Sequence, residues 1–411
     1  MAGENTVSTL DGLYREVYAE SLSEVCPTSS VILDIIPFDS DLLGDSYHQG
    51  IVLTFEHGAT YNGSGGGVVT LASPIQATLK DASTSGFEQI MRSQLTYAAA
   101  SRAANGGKAA FKRAWGQVLL NLRKAAMKRQ ELTMLYGQQG LGIVSAIAAG
   151  VITITDPSWS PTTFAGMEGA ILEAWTATTA TATQHNGDLT ISAISFANKT
   201  VTVTGTSTAV AANDILYFKG ARTSTAFNEA VGLMKIAANT GTLFGVAGAD
   251  YSLFQGNTAS SFGTPTMGKH LNAITGAVEK GLDEKVFLGI PPKHWEVLNS
   301  DLSAQRKYDG SYSKERAENG VQAIRYYGQM GEIEVRSMPF LRYGDFVVFP
   351  KSPLKRVGSA DVGMGVPGTD GRDVFFHSPT TNAVEARSFS DQALFCEKPS
   401  DLIYGTGVTY A

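Results

Sequence analysis

The segment from Gln49 to Lys80 constrains this chain more than any other. Ile51, Leu53 and Phe55 alternate with Val52 and Thr54, a second alternating run follows from Val68 to Leu79, and Tyr61-Asn62-Gly63-Ser64-Gly65-Gly66-Gly67 lies between them. Period-two alternation on both sides of a glycine-rich tip predicts a long β-hairpin. Its arms are too thinly apolar to form a core of their own, and a two-stranded ribbon alone is marginal in water. The ribbon therefore has to dock on a neighbour.

The next segments make the same demand. Asp11 to Ser23 reads as a short helix with Leu13, Val17 and Leu22 on one side, and Val31 to Ile36 is an apolar run stopped by Pro37. That run has no local partner, so it must pack on a distant element or on another subunit. After the ribbon, Ser83, Thr84 and Ser85 offer an N-cap. Phe87, Ile90, Met91, Leu95 and Ala98 then follow at helical spacing. Beyond Asn105-Gly106-Gly107 a second helical stripe runs through Phe111, Trp115, Val118, Leu119, Leu122, Ala126 and Met127, with a stop at Tyr136-Gly137. About 28 residues of helix would span about 42 Å, longer than most globular helices. Its opposite face carries Lys108, Lys112, Arg113, Arg123, Lys124, Lys128 and Arg129, and Glu131 is the only acid between 108 and 131. This face could be simply solvated, could pair with acids of a neighbouring subunit, or could touch nucleic-acid phosphates without sequence preference.

From Gly140 the pattern turns β. Ile143-Val144 and Val151 to Ile154 read as strands, with a turn at Asp156-Pro157. Thr176 to Phe218 holds only Asp188, Lys199 and Asp214 as charges, and 176–262 reads as a small β-rich insertion. Within it Leu189 to Phe196, Asn198-Lys199 and Thr200 to Thr204 form a hairpin pattern, and Asp214 to Phe218 adds a strand. Lys269 to Gly281 reads as a helix, Val286 to Ile290 as a buried strand, and Pro292 opens a helix bearing Trp295 and Leu298. Gln305 to Glu318 reads as an exposed loop, and Ile333 to Arg336, Phe346 to Phe349 and Leu354 to Val357 as strands.

Composition narrows the function. The 411 residues carry 32 Lys and Arg against 38 Asp and Glu, a net charge of −6, which excludes a strongly basic DNA-binding domain. Cys26 and Cys396, the two cysteines, exclude a disulfide framework and a four-cysteine zinc site. The N-terminus shows neither the basic nor the apolar region of a signal peptide, and no apolar run reaches the ~18 residues of a membrane span. Gly263 to Lys269 fits G-x-x-x-x-G-K, but His270 stands where Ser or Thr should hold magnesium and no apolar strand precedes it. Ser311 to Lys314 and Ser352 to Lys355 both fit S-x-x-K, a pattern too cheap to mean much. Asp39-Ser40-Asp41 reads as a turn or cap, Asn198-Lys199-Thr200 is a sequon without a secretory signal, and the six histidines never pair at helical metal spacing. No general acid, base and nucleophile assemble, so the chain reads as non-enzymatic, without metal or cofactor. What recurs is a set of elements that a monomer cannot satisfy.

The order of these elements resembles the tailed-bacteriophage major capsid protein family, the Hong Kong-97-type fold. The most specific stretch is Val286-Phe-Leu-Gly-Ile-Pro291-Pro-Lys-His-Trp295-Glu-Val-Leu298, similar to the family's strand, proline and Trp-bearing helix; Gly331 to Pro339 and Gly344 to Val348 resemble its strand pair. The resemblance implies an α+β fold divided into an N-terminal arm (1–48), an extended hairpin or E-loop (49–82), a spine helix with the first part of the P-domain (83–178), a β-rich insertion (179–265), an A-domain (266–350) and a return to the P-domain (351–411). It implies a shell of pentamers and hexamers around double-stranded DNA, in a virion capsid assembled in the host cytoplasm, with portal and scaffold proteins and a decoration or cement protein as candidate further partners and no membrane. Inter-subunit contact would fall on Phe55, Tyr61, Asn62, Val68 and Leu71, and a loop with Arg306, Lys307 and Tyr308 would lie near the capsomer axis. The basic helix would face a neighbour or the DNA. No lysine stands at the hairpin tip, so a lysine crosslink from it is not expected. The alternatives are an encapsulin-type nanocompartment shell protein and a β-rich phage tail or virion protein.

Overall fold

The computed structural model describes residues 30–40, 46–98, 101, 108–185, 187–300, 324–329, 331–365, 374–377 and 380–410. The expected helix at Asp11 to Ser23 and the loop at Gln305 to Glu318 lie outside them.

A long sheet is organised by the strand Ala383–Cys396, which pairs antiparallel with Phe87–Thr96 along one edge and with Leu354–Met364 and Phe375–His377 along the other. The helix expected after the ribbon is thus a ten-residue strand, in register from Phe87 opposite Gln392 to Thr96 opposite Ala383. Its burial alternates residue by residue. Phe87, Met91 and Leu95 are four apart, a spacing that suits a helix and is also an even number, so it suits a strand equally. Ile90 decides between them, because the helical reading needs it inside and it is 54% exposed. The 29-residue helix Lys108–Tyr136, about 44 Å long, lies across this sheet. Leu122 and Ala386 are buried at the contact, with Met91, Leu95, Leu119, Met364 and Val384 around them.

A closed six-stranded antiparallel barrel follows the helix. Its order is Ile215–Phe218, Gly142–Ala148, Val151–Ile154, Thr200–Thr204, Leu189–Ser195 and Ile171–Trp175, which returns to Ile215–Phe218. Val144, Ile152, Leu172, Leu189, Val201 and Leu216 fill it. Positive φ at Ala149 and Gly150 makes the two-residue turn between Ala148 and Val151 that a tight hairpin needs. Closure leaves no free edge. The barrel therefore starts well before the charge-poor stretch and ends before 262. Of the rest of 176–262, Leu233–Ala237 packs on the long helix, the Thr242–Leu243/Val246–Ala247 hairpin lies against the ribbon base, and Asn257–Ala259 joins another sheet. Low charge marks composition, whereas barrel membership is set by pairing.

That other sheet has six strands in the order Asn257–Ala259, Ile403–Gly405, Phe346–Pro350, Val286–Ile290, Gly331–Ser337 and Ile324–Gly328. Helices Met267–Val278 and Pro292–Ser300 belong to the same core, close to their expected limits. His270 and His294 are fully buried in it, ring centroids 4.9 Å apart, and neither ring nitrogen of either residue has a hydrogen-bond partner. They lie among Phe262, Phe346 and Tyr410, and burial pushes both down to about 3.

The far end of the long helix is the junction of these units. Tyr136 Oη donates to Asp345 Oδ2 at 3.0 Å, and Arg342 Nη2 donates to the Gly140 carbonyl at 2.5 Å while its guanidinium lies 4.1 Å from the Tyr136 ring centroid. Gln138 N–H donates to Glu229 Oε1 at 2.7 Å. Burial raises Glu229 to about 7 and Asp345 to about 6. A Cβ on Gly137 would meet the Ala230 carbonyl at 2.1 Å, so glycine lets the two segments touch.

Candidate assembly surfaces

The ribbon pairs Tyr47–Val52 with Leu79–Thr84, from Tyr47 opposite Thr84 to Val52 opposite Leu79. The ladder thus occupies the base, and the expected second strand over Val68 to Leu79 is extended chain that meets its partner only at intervals. Leu53 N–H donates to the Thr78 carbonyl, His57 bridges Ile75, and the Thr54 and Thr60 hydroxyls accept from the Thr78 and Ala72 N–H groups. At the tip Asn62 Nδ2 donates to the Gly67 carbonyl at 2.8 Å, and Gly66 takes a positive φ. The base is anchored: Ala82 and Leu53 are buried, Tyr47 meets the Phe395 ring edge-on at 5.0 Å, and Ser83 N–H donates to the Phe244 carbonyl.

Beyond the base the apolar side chains face outward. Phe55 is 78% exposed, Tyr61 92% and Leu71 80%, and Val52, Val68, Ile75 and Leu79 are also open. Such a concentration of large apolar groups on one projecting element is more than a lone subunit ordinarily leaves open to water. Phe55, Tyr61, Asn62, Val68 and Leu71 all lie on it.

The basic residues of the long helix do not share one fate. The side chains of Lys108, Lys112 and Arg113 lie outside the described part of the helix, as do Arg306, Lys307 and Tyr308 altogether. Arg123 is exposed and Lys124 half-buried. Lys128 and Arg129 turn inward, which corrects the reading of a single open face. Lys128 Nζ donates to the Ala165 carbonyl at 2.7 Å and lies 5.9 Å from the Phe340 ring, and the Arg129 guanidinium lies 4.2 Å over Phe218, with burial lowering its pKa. The helix is flanked here by barrel and sheet, so long stems cover apolar surface.

Glu131, the exception in the basic run, is 1% exposed. It accepts the N–H groups of Val31, Ile32 and Leu33 at 2.9, 2.8 and 3.1 Å. The distant element that the apolar run 31–36 needed is thus the long helix. Sequence reasoning missed Glu131 and its counterpart Arg356; a lone acid among seven bases was the available signal.

The nucleotide-like pattern and the S-x-x-K at Ser352 to Lys355 resolve into bracing contacts, while Ser311 to Lys314 lies outside the described residues. Lys269 Nζ donates to the Phe262 and Thr264 carbonyls at 3.0 and 2.9 Å, Ser352 Oγ to Glu284 at 2.6 Å, and Lys355 pairs with Glu397 at 2.5 Å. Among the described residues no group of three or more His, Cys, Asp or Glu could hold a metal, and no helix is long and apolar enough to cross a membrane.

No family model matches the chain, and no curated protein matches it in sequence. Solved structures do match over nearly the whole length. The cyanophage A-1(L) capsid chain is similar at a TM-score of 0.57 and 10% identity, covering 99% of this chain and 100% of that one. The capsid chain of a native GTA particle is similar at 0.53 and 7%, over 99% and 100%. The mature capsid of bacteriophage PhiM1 is similar at 0.51 and 8%, over 97% and 93%. The chain has the α+β fold of these capsid proteins.

Proposed function

We propose that this chain is the major capsid protein of a tailed phage, copies of which associate as hexamers and pentamers and close into an icosahedral shell around double-stranded DNA. The observation that carries the reading is the ribbon, whose apolar side chains project into solvent from a base rooted in the core. A single subunit gains nothing from them; a neighbouring copy would bury them. In this reading residues 49–82 are the E-loop, the long helix is the spine, the long sheet is the P-domain, the sheet around Val286–Ile290 is the A-domain, and the barrel is an added unit of the shell surface and a candidate seat for a cement protein. Arg123 and Lys124, with the basic positions before them, would face a neighbour or the DNA. Portal and scaffold proteins would be separate partners, and the protein acts without catalysis.

Size exclusion and negative-stain electron microscopy of the expressed chain, with and without its scaffold, test this. Closed shells or rings of five and six copies are expected. A 43.5 kDa monomer under every condition would overturn it. Deleting Tyr61 to Gly67 should weaken particles in denaturant and leave the subunit's unfolding unchanged, since these residues touch no core.

A further inference from the structure

The four-residue helix Ile32–Ile35 has few hydrogen bonds of its own: Ile35 N–H to the Val31 carbonyl and Ile36 N–H to the Ile32 carbonyl. One turn of helix is not stable by itself in water. It is held by side chains from elsewhere at both ends. At its N-terminus the Glu131 carboxylate takes the three N–H groups of Val31, Ile32 and Leu33. At its C-terminus Arg356 Nη1 donates to the carbonyls of Leu33 and Ile36, each at 3.2 Å. A carboxylate at the positive end and a guanidinium at the negative end both suit the helix dipole.

The guanidinium is itself fixed beforehand. Arg356 Nε and Nη2 donate to Gln392 Oε1 at 3.0 and 2.7 Å, Nη2 also reaches Asp361 Oδ1 at 2.5 Å, and Gln392 is fully buried. Ile32 and Ile36, one turn apart, are fully buried between these two grips. The strand that follows, Phe38–Asp39, pairs with Leu354–Met364 over two residues only.

We propose that Glu131 and Arg356 are the positioning residues of the N-terminal arm, a two-point clamp that straps residues 31–39 onto the body and can let go of them without unfolding it. The clamp reads backbone, not side chains: N–H groups at one end and carbonyls at the other, one turn apart. It therefore accepts a chain of one direction only. The inference concerns contacts within one subunit and stands whether or not the chain builds a shell.

Hydrogen exchange with mass spectrometry on the full chain tests it. In the wild type, with added urea below the unfolding midpoint, amides 31–36 should open together while those of Val286–Ile290 and Phe346–Pro350 stay protected. In Glu131→Gln and Arg356→Met the same amides should exchange about tenfold faster or more, as expected for lost hydrogen bonds to a charged group, with the body's amides unchanged. Two results would overturn the proposal: wild-type amides 31–36 that exchange only by global unfolding, or variants whose exchange rises equally throughout the body or not at all at 31–36. The wild-type measurement stands even if a variant fails to fold.

Discussion

Replacing His270 and His294 together by Leu should flatten the acid side of the subunit's stability profile. Both rings are fully buried with all four nitrogens unpartnered, and burial holds them at about 3, the proximity of His270 adding to the effect on His294. Among the described residues their surroundings offer no anion. Phe262, Phe346 and Tyr410 line the site, Tyr410 Oη is spent on the Tyr343 carbonyl, and the nearby cations Lys269 and Lys293 lie over the Phe262 and Tyr410 rings. In the unfolded chain each imidazole takes its proton near 6.5. Between about 6.5 and 3 the unfolded state therefore binds two more protons than the folded one, so stability is present above this window and lost as pH falls through it. Two protons correspond to a slope of about 2.7 kcal/mol per pH unit.

Carboxyls that burial holds above their ordinary range, Glu131 and Asp401 among them, act with the opposite sign. Glu229 and Asp345, raised to about 7 and about 6, bind protons in the folded state before the unfolded chain does, so each adds stability as pH falls toward 4. They partly hide the histidines in the wild-type profile. The double variant keeps all of these carboxyls, so subtracting the profiles isolates the imidazoles. The assay is urea unfolding of the monomeric subunit at pH 7.5, 6, 5 and 4, with equal m-values required for the comparison. The offset at pH 7.5 reports packing and unpartnered nitrogens; the pH dependence of the difference reports titration alone. A difference that stays constant from pH 6 to pH 4 would refute the reasoning, because the rings would then be charged or hydrated in the folded protein.

Four further substitutions separate roles that the structure assigns. Arg222→Lys should destabilise the barrel by about 3 kcal/mol, read from the urea midpoint by Trp175 fluorescence, because Lys cannot reproduce the donors to the Ala177 and Thr179 carbonyls or the guanidinium 4.3 Å from the Trp175 ring. Gly405→Ala should cost about 2 kcal/mol or more, since its Cβ would stand 1.8 Å from Phe346 Cε1, at the ring on which His270 stacks. Arg129→Ala should lower the melting temperature through lost cover over Phe218, whereas Arg123→Ala, at an exposed position, should stay within about 0.5 kcal/mol of wild type.

What the amino-acid order made legible was whatever is settled by near neighbours. The Asn198-Lys199 turn and its flanking strands are seven and five residues long and needed nothing from elsewhere. Val286–Ile290 followed by Pro292–Ser300 was equally plain, because a continuous apolar run and a proline at a helix start both act locally. The barrel was not legible as a closed unit, since closure rests on Gly142–Ala148 meeting Ile215–Phe218 across some seventy intervening residues. Nor could sequence pair His270 with His294, which lie on separate helices and meet only because both pack on Phe346.

The errors share one cause. A pattern was read by its majority, while the information about long-range contacts lay in its exceptions. Ile90 breaks the strand's alternation with an exposed apolar residue, and its spacing from Phe87 imitates a helix. Glu131 broke the basic run, and it proved to be the point where the arm is held. The physical reason is general: an isolated charge is costly to bury without partners, so an acid kept alone in a basic and apolar stripe requires donors from another part of the chain. Here those donors are three backbone N–H groups a hundred residues upstream, and they tie the start of the described chain to the element that crosses its whole length.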